Sequence, residues 1–144
     1  MLKDKNIFIK TLLVIWQLPQ VLLGLLFLLF FHNKTTYTNP YNGITVWNIC
    51  SGKLFGTACF STGPFIVTCE GASEETLKHE TGHSYDSIRF GFLYHLIISI
   101  PSICLFWYRR IAKKDMNFYY DHYPETLAEK NGMTDRYKKK MGIV

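Results

Sequence analysis

His79-Glu80-Thr81-Gly82-His83 places two imidazoles four residues apart, with a carboxylate directly after the first. On an α-helix, residues i and i+4 stand one above the other on the same face. The two histidines can therefore share one ion, at about 2.0–2.1 Å from each ligating nitrogen if the ion is zinc. Glu80 is turned by about 100° from His79, which takes it off the ion and within reach of a metal-bound water. There it can accept the water's proton as the oxygen attacks a carbonyl, then pass it to a leaving nitrogen. The competing reading is an exposed helix face that carries two histidines and no ion.

A catalytic zinc needs a third protein ligand and an open position. Downstream, Asp115, Asp121, His122, Glu125 and Glu129 are the candidates. Glu125 is favoured because Glu125-Thr126-Leu127-Ala128-Glu129 reads as helix, with a small Ala placed for helix packing. Tyr119, Tyr120, His122 and Tyr123 lie just before it, and one of them could hydrogen-bond an oxyanion or contact substrate. Aromatic residues near a membrane surface also serve as interfacial anchors, the simpler role for each one alone. His32 and His95 read as interfacial or satisfied histidines.

The elements that must position these groups are legible in outline. Ser73 is an N-cap, and Glu74 and Glu75 put negative charge in the first helical turn, where the dipole favours it. A helix over 73–89 follows, with Gly91 as its stop. Gly82 costs about 1 kcal/mol relative to Ala inside a helix, and close approach of a neighbouring strand would account for it. Before that helix, Ile44 to Cys50, Phe55 to Ser61 and Phe65 to Cys69 read as short strands of a small antiparallel sheet. The turn signals between them are Asn39-Pro40, Asn42-Gly43, Ser51-Gly52 and Gly63-Pro64. A last helix covers 123–131 and ends at Gly132.

Of the 144 residues, the apolar ones concentrate in two blocks. Thr11 to Phe31 carries no charge and is long enough to cross a hydrocarbon layer of about 30 Å as a helix. Its length exceeds that of a cleaved signal core, so it reads as a retained anchor, with Pro19 leaving its path straight, kinked or re-entrant. Phe90 to Trp107 is shorter and holds Pro101. The formal charge of +5 sits beside these blocks, at Lys3, Lys5 and Lys10 and at Arg109, Arg110, Lys113 and Lys114. That placement suits membrane lipid and not nucleic acid. Lys138-Lys139-Lys140 reads as a solvated tail. Cys50, Cys59, Cys69 and Cys104 form no metal pair; Cys50 and Cys59 could face each other across a hairpin.

With its two-part pattern, His79-Glu80-Thr81-Gly82-His83 followed by Glu125-Thr126-Leu127-Ala128-Glu129, the chain resembles the gluzincin metallopeptidases. The resemblance implies zinc bound by His79, His83 and Glu125, with Glu80 as catalytic base, Glu129 supporting a histidine by hydrogen bond, and a peptide or protein as substrate. Trp16-Gln17-Leu18-Pro19-Gln20, Ile100-Pro101-Ser102 and Tyr123-Pro124-Glu125, around the same histidine motif, also resemble a family of small bacterial membrane proteins that look like minimal gluzincins. Here Asp86-Ser87 stands where Gln-Ser is common in that family, and Pro124 where Thr is usual.

These readings combine into an α+β, zincin-like chain. Residues 1–33 form an N-terminal membrane helix, and residues 34–144 a small domain with an apolar hairpin at 90–107. If that hairpin crossed the bilayer once, His83 and Glu125 would lie on opposite sides. A re-entrant turn at Pro101-Ser102 removes the conflict, and the basic cluster then puts the site on the cytoplasmic side of a bacterial membrane. A non-catalytic membrane protein with a structural metal, or with none, is the alternative.

Overall fold

A computed structural model of the chain describes residues 6–31, 35–38, 46–51 and 58–143. The turn signals at 39–45 and at Gly52, the starts of two expected strands, His32, Lys3 and Lys5 lie outside them. In chain order the elements are α1 (Ile7–Trp16), α2 (Leu18–Phe31), β1 (Thr35–Thr38), β2 (Val46–Cys50), β3 (Phe60–Thr62), β4 (Phe65–Thr68), α3 (Glu74–Phe90), α4 (Ile100–Ile111), α5 (Met116–Tyr120), α6 (Glu125–Gly132) and α7 (Asp135–Met141). A 3-10 turn at Gly91–Leu93 and a π-helical turn at His95–Ser99 lie between α3 and α4. The chain is α+β, with mixed helices and one small sheet.

The sheet is mixed, not antiparallel as expected. Its order is β1-β2-β4-β3. β2 runs antiparallel to β1 and parallel to β4, while β3 runs antiparallel to β4 at the edge. The tight turn at Gly63-Pro64, with Gly63 at φ 61°, sends β4 back along β3. All four residues of β4 are buried, and a strand apolar on both faces belongs in the interior of a sheet. β4 therefore inserts between β2 and β3.

Each sheet face is covered by a helix. Phe65 and Val67 join Ile49 and Val21 of α2 in one cluster, flanked by Phe27 and Leu28. Ile66 points the other way, against Tyr85 and Ile88 of α3. Burying each of these aliphatic side chains is worth about 1.5–3 kcal/mol. Gly24 makes the α2 contact possible, since a Cβ there would lie 2.1 Å from the Phe65 ring.

The first apolar block bends, one of the courses Pro19 left open, and the second turns at a different place from the one expected. Thr11 to Phe31 is broken at Gln17, and α1 and α2 meet at 91°. Proline at 19 cannot donate a helical N–H, and the polar side chains at the break have partners in α3 and beyond. Trp16 Nε1 donates to the Ile88 carbonyl at 2.9 Å, and Ser87 Oγ donates to Gln17 Oε1 at 2.8 Å. Gln20 Nε2 donates to the Gly91 carbonyl. Trp16-Gln17-Leu18-Pro19-Gln20 thus clamps the bend onto the C-terminal end of α3.

In the second block the turn falls before Pro101, not at it. The run Glu74–Leu93 meets His95–Ile111 at 118°. Pro101 sits in the first turn of α4, where a missing N–H is tolerated. The carbonyl of Ile97, four residues earlier, accepts instead from the Tyr123 hydroxyl at 2.7 Å. Among the described residues no single helix is long and apolar enough to cross a membrane; the two bent pairs pass that test only when each is taken together.

Candidate metal centre

The centre is built where α3 and α6 touch. Ser73 Oγ caps α3 by accepting from Thr76 N at 3.1 Å, and Glu74 and Glu75 occupy the first turn. The helix ends at Gly91, whose φ of 52° suits glycine. A Cβ on Gly82 would lie 2.0 Å from the Ala128 carbonyl oxygen, and one on Gly132 would lie 2.0 Å from the Lys78 carbonyl oxygen. Two backbones in direct contact require glycine at both points. The partner of Gly82 is a helix, not the strand expected.

That contact places His79 and His83 of α3 opposite Glu125 of α6. His79 Nε2 stands 2.9 Å from Glu125 Oε2, and His83 Nε2 stands 3.3 Å from the same oxygen. One ligand atom from each of these three residues lies within 4.8 Å of the others, and all three residues are buried. Donor atoms around a tetrahedral ion with bonds of about 2.0–2.1 Å stand about 3.3 Å apart. The group could hold a metal ion, and two nitrogens with one carboxylate oxygen suit a borderline-soft divalent cation.

Each ligand is held from behind. His79 Nδ1 bonds Glu129 Oε1 at 2.7 Å. Glu129 in turn accepts from Thr134 Oγ1 at 2.7 Å and from the Arg136 guanidinium at 2.7 and 3.1 Å. The Arg136 guanidinium lies over the Tyr120 ring at 3.9 Å, and that ring meets the His79 ring edge-on at 5.2 Å. His83 Nδ1 faces Asp86 Oδ2 at 3.5 Å, an ion-pair contact in which neither atom makes a hydrogen bond. Asp86 Oδ1 accepts from Asn131. Glu125 Oε1 accepts from Ser102 Oγ of α4, which also bonds the Tyr119 hydroxyl at 2.9 Å. Glu80 is buried beside the histidines, and Ser61 Oγ of β3 bonds both its backbone carbonyl and its carboxylate, the latter at 3.1 Å.

The electrostatics follow from this packing. Burial alone would lower His79, but hydrogen bonds to Glu125 and Glu129 raise it above its ordinary value. His83 is likewise opposed by burial, yet Asp86 and Glu125 push it up to about 10. Burial works to raise Glu125, and the two histidines outweigh it and hold the carboxyl far below its ordinary range. Glu129 also resists burial, drawn down to about 2 by His79, Arg136 and Thr134. Glu80 moves the other way. Burial raises it, and the histidines offset only part of the rise. Glu80 therefore holds a proton more readily than an exposed carboxyl does.

Among the sequence candidates, His79, Glu80, His83, Glu125 and Glu129 converge, and Tyr119 and Tyr120 border them. His122 and Tyr123 do not. His122 is exposed and bonds the Phe118 carbonyl at 2.6 Å, while Tyr123 is spent on Ile97. Asp115 caps α5, and Asp121 pairs with Lys140. Sequence reasoning missed Ser61, Asp86, Ser102, Thr134 and Arg136. Asp86 had a local signal, three residues after His83 on one helix face, and Thr134 and Arg136 lie only five and seven residues after Glu129; Ser61 and Ser102 reach the site through tertiary contacts. The Lys138-Lys139-Lys140 run lies on α7, capped by Thr134 and carrying Arg136, with Lys139 and Lys140 exposed as expected. The chain matches no protein-family model, no curated protein and no solved structure.

Proposed function

We propose that this chain is a membrane-associated, zinc-dependent metallopeptidase of gluzincin-like, zincin-type construction. The observation that carries the reading is the convergence of His79 Nε2 and His83 Nε2 on one oxygen of Glu125, with Glu80 buried alongside. Three protein donors leave a tetrahedral ion one open position. Zinc, when bound, supplies a Lewis acid that activates water and polarises a carbonyl. His79, His83 and Glu125 would hold the ion. Glu80 takes a proton at its carboxylate and delivers it to the leaving nitrogen, with Ser61 fixing its orientation. Glu129, Thr134 and Arg136 keep His79 aligned, and Ser102 occupies the second oxygen of Glu125. Tyr119 and Tyr120 border the cluster, and in this reading one of them meets a substrate oxygen.

The membrane part of the proposal rests on where apolar surface is left open. Leu22, Leu26, Leu29 and Phe30 of α2 and Ile100, Ile103, Trp107 and Ile111 of α4 are exposed. Arg109, Arg110, Lys113 and Lys114 follow directly, as anionic headgroups would favour. In this reading the two bent pairs enter the bilayer from the cytoplasmic face, and the substrate is a peptide or protein near that surface.

Metal analysis of the purified protein tests the first half. Wild type should carry about one zinc per chain, and His79→Ala and Glu125→Ala should lose it; stoichiometric zinc in both variants would refute the site. Glu80→Gln should keep the metal while cleavage of a sensitive peptide falls by about 100-fold or more.

A further inference from the structure

Cys59 and Cys69 stand apart from the metal centre, and nothing in the proposed chemistry uses them. Cys59 immediately precedes β3 and Cys69 immediately follows β4, so the two close the open end of this hairpin. Their sulfurs lie 3.6 Å apart, and Cys69 N–H donates to Cys59 Sγ at 3.4 Å. Both are half-buried free thiols. A disulfide needs its sulfurs at about 2.05 Å, a closure of roughly 1.5 Å that side-chain rotation and a small hairpin adjustment can supply.

We propose that Cys59 and Cys69 form a reversible disulfide that staples the β3–β4 hairpin. The oxidant is a small disulfide of the glutathione class. One cysteine thiolate attacks a sulfur of oxidised glutathione, breaking its S–S bond and releasing a first glutathione thiolate. The neighbouring cysteine, losing its proton to solvent, then attacks the mixed disulfide and expels the second. Two protein thiols are oxidised and one glutathione disulfide is reduced, so atoms and electrons balance. Burial pushes the Cys59 thiol up to about 12, which makes the exchange slow at neutral pH; proximity selects the pair, not thiolate supply. The staple bears on the rest of the molecule through Ser61. That residue lies two positions beyond Cys59 on the edge strand, and its hydroxyl holds Glu80. The inference does not depend on the metallopeptidase reading.

Trypsin offers a direct test, because no Lys or Arg lies between Lys53 and Lys78 and one peptide, Leu54 to Lys78, contains both thiols. The folded full-length protein is incubated with oxidised glutathione, remaining thiols are alkylated under denaturing conditions, and the digest is weighed. The expected result is an unalkylated Leu54–Lys78 peptide lighter by two hydrogen atoms, with Cys50 and Cys104 alkylated. The thermal midpoint should rise on the order of 5 °C, since the cross-link restricts the unfolded chain, and dithiothreitol should reverse both changes. Cys69→Ser should abolish them. Alkylation of both thiols, a persistent glutathione adduct on either, or a cross-link to Cys50 or Cys104 would each overturn the proposal, and these readings on the wild type stand even if the variant fails to fold.

Discussion

The metal-free centre binds protons where an ion would sit, so ion uptake must displace them. His79 and His83 are both raised above their ordinary value of 6.5, and His83 reaches about 10. At pH 6 both are imidazolium, balanced by Glu125, whose carboxyl is held charged, and by Asp86 and Glu129. Replacing two imidazolium protons by one divalent cation leaves the net charge of the buried cluster unchanged. That conservation matters, because an unbalanced charge in such a setting costs several kcal/mol. About two protons should therefore leave per ion bound at pH 6. Apparent affinity should climb about 100-fold per pH unit below both pKa values, then about tenfold per unit until pH passes about 10. Calorimetric titration with zinc, repeated in buffers of different ionisation enthalpy, counts the protons directly. Affinity that is flat from pH 6 to 8, or release of no protons, would refute the paired-imidazolium picture. The sign for stability is opposite. Because the histidine values are raised on folding, their contribution to the metal-free protein is full below pH 6.5 and is lost as pH rises through about 10 for His83. The depressed carboxyls of Glu125 and Glu129 contribute above about pH 4.5 and lose that contribution on acidification, Glu129 through about pH 2.

Gly82→Ala should destabilise the fold by about 1–3 kcal/mol despite the better helix propensity of Ala, since the new Cβ meets backbone and cannot be accommodated by a rotamer change. Chemical denaturation measures this, and a variant as stable as wild type would contradict the helix contact. Ser102→Ala removes a hydrogen bond to a charged ligand, worth about 1.5–3 kcal/mol, and should weaken zinc about tenfold or more in a chelator competition while Ser102→Thr restores it. Unchanged affinity in Ser102→Ala would show that Glu125 needs no support from α4.

What could be read from the sequence was what depends on local spacing. The i, i+4 histidines, the Ser73 cap, the Gly91 stop and the Glu125–Glu129 helix are all statements about one turn or two of chain. The strand positions were also local, but the sheet's order was not: β4 sits between β2 and β3 because it is buried on both faces, which depends on α2 and α3 arriving from opposite sides, and its parallel partner β2 is not its neighbour in sequence. Pro101 misled because a proline tolerated in a helix's first turn looks, in sequence, like one that breaks it. The actual bend, between Leu93 and His95, follows a segment held by Trp16 and Gln20, which lie more than 70 residues earlier in the chain and bond the carbonyls of Ile88 and Gly91. Arg136 was missed for a different reason: it lies only seven residues after Glu129, but α6 ends at Gly132 between them, and the turn into α7 that brings the two together is not written in their spacing.

The sequence posed one conflict, that a crossing at 90–107 would separate His83 from Glu125, and the fold brings the two together with its bend ahead of α4 and not at Pro101. The chain turns by 118° immediately after α3, runs along α4, and comes back through α5, so the ligands meet without any break at Pro101. α4 then has two jobs on two faces. Outward it presents Ile100, Ile103 and Trp107; inward, from the same turn, Ser102 holds the free oxygen of Glu125. α1 and α2 show a similar division, with leucines exposed while Trp16, Gln17 and Gln20 bond the end of the helix that carries both histidines. The apolar segments are therefore structural parts of the metal centre and cannot be treated as a detachable anchor. A truncation that removes α1 and α2 takes away the partners of Ile88, Ser87 and Gly91 and uncovers Ile49, Phe65 and Val67 on the sheet, so the truncated protein should bind no zinc in a metal titration; affinity equal to that of the full chain would refute this.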